Sequence, residues 1–547
     1  MAAPTPLRDT FVKRFSPQGA SDSLDATDEF PGACSALSNL VPDPTTSNFW
    51  TPRAAATALV VFSACPGLPG GHTAGPSVVH KVVGNLVYGL FQDVTSAVDR
   101  PYAFNLLTNA FVAVTGVGQV PPTAVNAVTL EWEPPSCDTM GIWIVFTHPH
   151  YITPAFFGWM DISVPTSPVY STGDTASGSL VSFATVGRPS WVTQFNGRAY
   201  FVVNSVSSGA PATVATDALS LKVTNAGQVL TYGNNQPITC LGPLGLNNQL
   251  GGIIQALMVF KVDNIYQVTG DFATSTWSVN TLNVETGTRA PRSVVSTPKG
   301  LAFLAPDGPR VIDQNGVVSD PVGAAGTGVN AVFLDETQAI SAFSKVAAGS
   351  DAQTVRIGYY NVLTDRPEEY WYNIVRAIWS GPHTPFSGSM YDTWNGDFIA
   401  SPTIAPVTPT GALAALYSAP TVPSVTSSYT EFGHVLTWDL RSVPLEDNQQ
   451  MAESEVAETQ VVVQSAFGVP YSVTISFIDM LGVTLGSTAI AISGAALFPY
   501  PYKVDFTTPI VFNRLIVDLT GQSTFGVKIG DIYLRTRIHS YITFPNP

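Results

Sequence analysis

The sequence predicts an all-β protein: a β-propeller of six or seven irregular blades, with an extended N-terminal arm before it and a C-terminal β-sandwich after it. Three observations point there. Helical spacing of apolar residues is nearly absent from the 547 residues, whereas short alternating runs rich in Val, Thr, Ile, Phe and Tyr recur between Gly, Pro, Asn and Asp. A turn feeding an aromatic-bearing β run returns at intervals from about residue 80. Charged residues are 12% of the chain, about half the ~25% of an ordinary globular protein, and an architecture that closes radially needs few charges to guard its edges.

The first segment, 1–74, reads as the arm together with the first strands. Residues 1–14 hold Pro4, Pro6 and Asp9 and no apolar core, which argues against a secretory signal. From 22 to 53 β-branched residues are few, Pro31, Pro42 and Pro44 interrupt, and Asp22, Asp25, Asp28 and Glu29 cluster. That composition predicts extended chain with turns, lying along a domain or on a neighbour. The four acids lack the DxDxDG spacing of a calcium loop and read as solvated turns.

Residues 75–428 hold the repeat: Gly84-Asn85-Leu86-Val87-Tyr88, Gly141-Ile142-Trp143, Asn196-Gly197-Arg198-Ala199-Tyr200, Asp263-Asn264-Ile265-Tyr266, Lys299-Gly300-Leu301-Ala302-Phe303, Gly358-Tyr359-Tyr360 and Asn395-Gly396-Asp397-Phe398. The spacings of 36 to 67 residues suit four-stranded blades with variable loops. Gly84, Gly141, Gly197, Gly300 and Gly396 are the repeat-turn residues, placed where a tight hairpin needs positive φ.

A stretch rich in Pro, Thr, Ser and Ala, 401–428, marks a boundary. Beyond it, 429–547 alternates apolar and polar residues in strand-like runs at 435–440, 459–464, 472–478, 514–519 and 526–535, the pattern of a sandwich. Two uncharged stretches, 54–79 and 480–498, are broken by Pro or Gly and read as strands and turns rather than membrane helices.

The search for chemistry returns no site. No HExxH, GxxxxGK[ST], GxSxG or SxxK motif is present. Cys34, Cys65, Cys137 and Cys240 are scattered and read as buried free thiols. His148-Pro149-His150 would need a third ligand to hold a metal, and is assigned a structural role. Thr269-Gly270-Asp271 running to Trp277 faintly resembles a sialidase aspartate box with the wrong spacing, so a hairpin with a packing Trp is preferred. Glu368 and Glu369, adjacent on a strand, point to opposite faces and cannot flank one bond; a solvated hairpin is expected. Glu446, Asp447, Glu453, Glu455 and Glu458 put five acids into thirteen residues, read as a solvated loop or as an acidic rim toward a channel or partner. No catalytic residue, cofactor or metal is assigned, and no enzyme activity is expected. The net charge of −15 argues against a protein that grips nucleic acid.

Taken in order, Ser16-Pro17-Gln18-Gly19, Ser38-Asn39-Leu40-Val41-Pro42-Asp43-Pro44, Thr51-Pro52-Arg53-Ala54, Gln194-Phe195-Asn196-Gly197-Arg198, Val223-Thr224-Asn225-Ala226, Pro237-Ile238-Thr239 and Ala290-Pro291-Arg292-Ser293, running into Gly300 to Gly308, resemble the propeller-type nozzle or tail-hub proteins of short-tailed bacteriophages. The resemblance spans about 16–325 and fades beyond it. It implies a structural virion protein of the tail, assembled in the host cytoplasm as a homohexamer below the portal and adaptor. Such a ring forms the lower conduit for genome ejection, passes DNA without binding it tightly, and carries tail fibre or needle proteins. Two other readings stand beside it: a lectin-like receptor-binding protein using Tyr500, Tyr502 and Tyr541, and a propeller polysaccharide depolymerase.

Overall fold

The computed structural model describes the chain except residues 1–9, 22–32, 117–133, 149–150, 152–156, 173–182, 205–209, 226–227, 248–251, 271–275, 323–328, 335–339, 341–342, 404–413, 422–428, 447–451, 466–470, 493–497, 505, 507, 525 and 542–547. Apart from short helical turns the described elements are all strands. A ring of sheets surrounds one axis, and its innermost strands are Ala74–Val83, Ser136–Met140, Pro189–Phe195, Ile238–Asn247, Val295–Thr297, Ala347–Ser350 and Gly388–Trp394. Each lies beside the next and the last lies beside the first, so the ring closes as a β-propeller. Among the described residues six of these blades are separate sheets, and the blade of 347–383 continues into a longer one. We number the blades 1 to 7 in the order of their inner strands.

Blades hold together through alternation. Along Arg198–Val203 every residue is buried; Tyr200 and Val202 pack toward blade 4, while Ala199, Phe201 and Val203 pack toward blade 2. A strand covered on both faces reads as a continuous apolar run, which is why these second strands stand out in the sequence. The last blade is closed from the other end of the chain: Thr57–Val61 pairs antiparallel with Ala415–Ala419 as its outermost strand.

The turn glycines Gly84, Gly141, Gly197, Gly300 and Gly396 all have positive φ and all sit at or beside an inner hairpin turn. At Gly300 a Cβ would lie 2.0 Å from the Ile312 carbonyl oxygen, so glycine is required there by close approach as well as by φ. Two repeat marks fall elsewhere. Asp263-Asn264 turns between the second and third strands of blade 4, and Gly358 lies inside Thr354–Asn361. In both blades an aromatic follows a small or polar residue, so the local text imitates an inner turn.

Blade 6 runs outward from Ile378–His383 through Ala33–Ser38, Thr437–Ser442, Arg514–Gln522 and Tyr471–Ile478 to Thr484–Ile492. A second sheet contains Leu40–Pro42, Trp50–Pro52, Val527–Tyr541, Ala452–Ser465 and Tyr500–Val504, with Thr10–Phe15 paired to Val527–Tyr541. Val461, Val463, Ile529 and Ile532 of this sheet share a core with Val473, Ile475, Val517 and Leu519 of the other. The N-terminal segment is therefore not an arm standing apart: its described strands complete both C-terminal sheets before the chain enters blade 7. Small residues such as Ala33, Cys34 and Ala36 fit between crowded neighbours, where packing overrides their low strand propensity. The acids at 22–29 lie outside the described residues.

Candidate functional site

The propeller axis is the place where residues from most blades converge. Lys81, Asp138, Thr193 and Asp392 share one register, each two residues before the last paired residue of its inner strand. Asp392 Oδ2 accepts from the Val82 amide of blade 1 at 2.8 Å, and Asp138 Oδ2 accepts from the Gln194 amide of blade 3 at 2.8 Å. Lys81 reaches the carboxylate of Asp138 at 3.2 Å. The carboxylates of Asp138 and Asp392 hold the ammonium of Lys81 well above its usual range. The two acids thus stitch blade 7 to blade 1 and blade 2 to blade 3, with the lysine between them neutralising part of their charge. Both acids are followed by Thr, whose amide bonds back to the same side chain at 2.8 Å in each case.

Deeper on the same axis, Arg292 crosses from one side to the other. It lies on the short turn Pro291–Ser293 that leads into blade 5, and its fork donates to the carbonyls of Ser389 (3.2 Å), Val78 (2.9 Å) and Pro135 (2.7 Å). These belong to blades 7, 1 and 2 across the ring, each three residues before Asp392, Lys81 and Asp138 respectively. At about 3.3 Å per residue this puts the plug about 10 Å from the acidic stitches. Burial lowers the Arg292 pKa to about 10, which leaves it charged at neutral pH.

The sequence-predicted acidic group is not a loop. Residues 452–465 form one strand, Ala452–Ser465, in the middle of the second C-terminal sheet. Glu455 is buried and ion-paired with Arg537, and Glu458 is paired with Arg535 at 3.8 Å. Asp447 and the side chains of Glu446 and Glu453 lie outside the described residues. Glu368 and Glu369 do face opposite sides, but both are buried rather than solvated. Glu368 accepts from Tyr359, Asn361, Thr364 and Arg366; Glu369 accepts from Trp371, the Gly388 amide and Tyr391. Beside Glu369 the Arg356 guanidinium is sandwiched 3.7 Å from the Trp371 ring and 4.5 Å from Phe398, between blades 6 and 7.

His148 is buried and bonded to Asp99 at 2.7 Å, joining blades 1 and 2; His150 is outside the described residues. Trp277 is 39% exposed, and 271–275 are not described. None of the four cysteines is in a disulfide; Cys137 is half-buried and the others are buried. Tyr500 is exposed and packs edge-on against Tyr502 at 5.0 Å; the Tyr541 side chain is not described.

Another acid pair was not singled out in the sequence. Asp439 and Asp518 lie on adjacent strands; burial, then the neighbouring carboxyl, hold Asp439 well above the usual carboxylate range, against the pull of Arg441. A carboxyl protonated more readily in the folded chain stabilises it at low pH and withdraws that stability as pH climbs from the ordinary carboxylate range through the raised value. Thermal melts are expected to show Tm falling across that window. Asp439→Asn should flatten the fall; an unchanged slope would contradict the raised Asp439 pKa.

Ring, closure and filled axis together define a β-propeller protein. No family model matches the chain, and no curated protein matches it. Solved structures similar to it include an exo-β-1,3-galactanase from Phanerochaete chrysosporium (12% identity, 88% of this chain and 99% of that one, TM-score 0.28). Others are the β-propeller domain of the Trilobed protease from Pyrococcus furiosus (10%, 61% and 92%, TM-score 0.32) and a polysaccharide lyase (11%, 68% and 98%, TM-score 0.35). The expectation that the chain is not an enzyme is corrected by these neighbours, which include a glycoside hydrolase and a lyase, and it is withdrawn. At these identities and scores the likeness assigns neither fold nor activity to this chain. Among the described residues no helix is long and apolar enough to cross a membrane.

Proposed function

We propose that the chain is a structural subunit of a short-tailed bacteriophage tail: one copy in a ring below the portal and adaptor, lining the lower conduit for the genome and carrying fibre or needle proteins. The observation that carries this reading is the plug at Arg292. A propeller whose own axis is crossed by a side chain offers no duct through itself, so a conduit would run between copies, with each propeller acting as a filled wall block.

Two further features support it. The quoted resemblance falls on stretches that lock the chain together: 38–44 and 51–54 tie the C-terminal sheets to the propeller, and 290–293 carries the plug. The net charge of −15 suits a wall past which DNA slides without being held. Negative-stain images and light scattering of the purified chain with its adaptor are expected to show a ring, with a mass several times the 57.9 kDa of one chain. A chain that stays monomeric with adaptor present would sink the proposal.

A further inference from the structure

The strand Thr484–Ile492 ends the long sheet, hydrogen-bonded to Tyr471–Ile478 on one side and to no described strand on the other. It has nine residues. Other described strands that end a sheet away from the propeller axis are shorter: Ala110–Val112 and Val229–Thr231 have three, Thr57–Val61 and Tyr500–Val504 five, Ser278–Asn283 and Gly308–Asp313 six.

An edge strand presents a row of unpaired amides and carbonyls, and natural sheets blunt such an edge with lysine, proline, a bulge or a cover. Here lysine and proline are missing, and among the described residues no strand covers the edge. No charged residue occurs between Asp479 and Lys503, and the strand contains no proline. Its irregularity falls at the hairpin end, between Phe477 and Ile478, leaving the remaining length regular. Thr484, Ser487, Ala489 and Ala491 are exposed while Ile490 and Ile492 are buried, so the outer face is small and neutral. At the tip of the hairpin Met480, Leu481 and Val483 are exposed, Leu481 to 88%.

We infer that this edge binds a second copy of the chain by strand pairing. Copies carrying −15 each repel one another over most of their surfaces, and the repulsion is least where neutral faces meet. A partner chosen by charge would be met by charged side chains along the strand, and Thr484–Ile492 has none. Nothing on the strand opposes its own kind, because the lysine or inward-pointing charge that prevents edge-to-edge pairing is absent. Backbone hydrogen bonds would supply the affinity, and the exposed Met480 and Leu481 would add apolar area at one end.

This inference does not rest on the tail reading. Sedimentation of the full chain at micromolar concentration is expected to give a multiple of 57.9 kDa. Ala489→Lys with Ala491→Lys should return it to the mass of one chain with an unchanged melting curve, and Ser487→Lys alone should do so in part. Lysines at Val284 and Val317, exposed positions on propeller connections, should leave the mass as in the wild type. A wild-type chain that is monomeric throughout, or folded lysine variants that keep the wild-type mass, would overturn the inference. A ring that survives the lysines refutes this edge and leaves the tail reading standing; an edge-dependent dimer with no ring does the reverse.

Discussion

Glu431→Ala is expected to destabilise the chain by about 3–5 kcal/mol, the cost of leaving a buried charge without its partner. Arg53 and Glu431 meet through two parallel bonds of 2.9 and 2.8 Å, with side-chain exposures of 3% and 0%. The same carboxylate accepts from the amides of Ala56 (2.7 Å) and Phe386 (3.1 Å), so its removal also orphans two buried donors. Arg53 would keep bonds to Asn39 and to the carbonyls of Ala54 and Thr384, none of which balances its charge. The pair sits where the chain leaves Trp50–Pro52 in the second C-terminal sheet and enters Thr57–Val61, the closing strand of the propeller. Loss of the pair should therefore loosen the closure of the ring as well as the join between the units. Calorimetry should show the main transition lowered and broadened, whereas Asp307→Ala at the more exposed pair with Arg310 should change stability by no more than about 1 kcal/mol. Equal, small effects at both sites would show that the buried pair does not hold the join.

The ring was legible because its signals are local. An inner hairpin needs a residue of positive φ, a second strand buried on both faces needs a continuous apolar run, and both are written within ten residues of each other at Gly141 and at Gly197. What the sequence hides is partnership over distance. Ala33–Ser38 pairs with Thr437–Ser442, some four hundred positions away, and nothing in its small residues announces a strand. Residues 446–458 read as a solvated acidic stretch because Arg535 and Arg537, which sit across from Glu458 and Glu455 in the neighbouring strand, are far off in the sequence. Glu368 and Glu369 read as solvated because two neighbouring acids announce none of their donors: Glu368 is served by Tyr359 and Asn361 of the strand before and by Thr364 and Arg366 nearby, and Glu369 by Trp371 and by Gly388 and Tyr391 of the next blade. At the axis one signal was available. The dipeptides Asp138-Thr139 and Asp392-Thr393 stand at the same distance from the end of their inner strands, and that repeat marks the stitching position without any knowledge of the fold.

Arg292→Ala is expected to cost about 2–4 kcal/mol. Hydrogen bonds from a charged donor are each worth about 1.5–3 kcal/mol, but the three carbonyls it serves face the axis, where water entering the vacated space would recover part of the loss. Arg292→Lys should fall between, because a single ammonium cannot reach three carbonyls arranged around a planar fork. The effect should also be local. Val78, Pro135 and Ser389 lie on or just before the inner strands of blades 1, 2 and 7, so amide exchange should quicken along Ala74–Val83, Ser136–Met140 and Gly388–Trp394 and stay slow along Pro189–Phe195, which the fork does not touch. Uniform acceleration around the ring would mean that the arginine acts only on global stability. No change in either stability or exchange would mean that Lys81, Asp138 and Asp392 alone hold the axis and that Arg292 does not fill it.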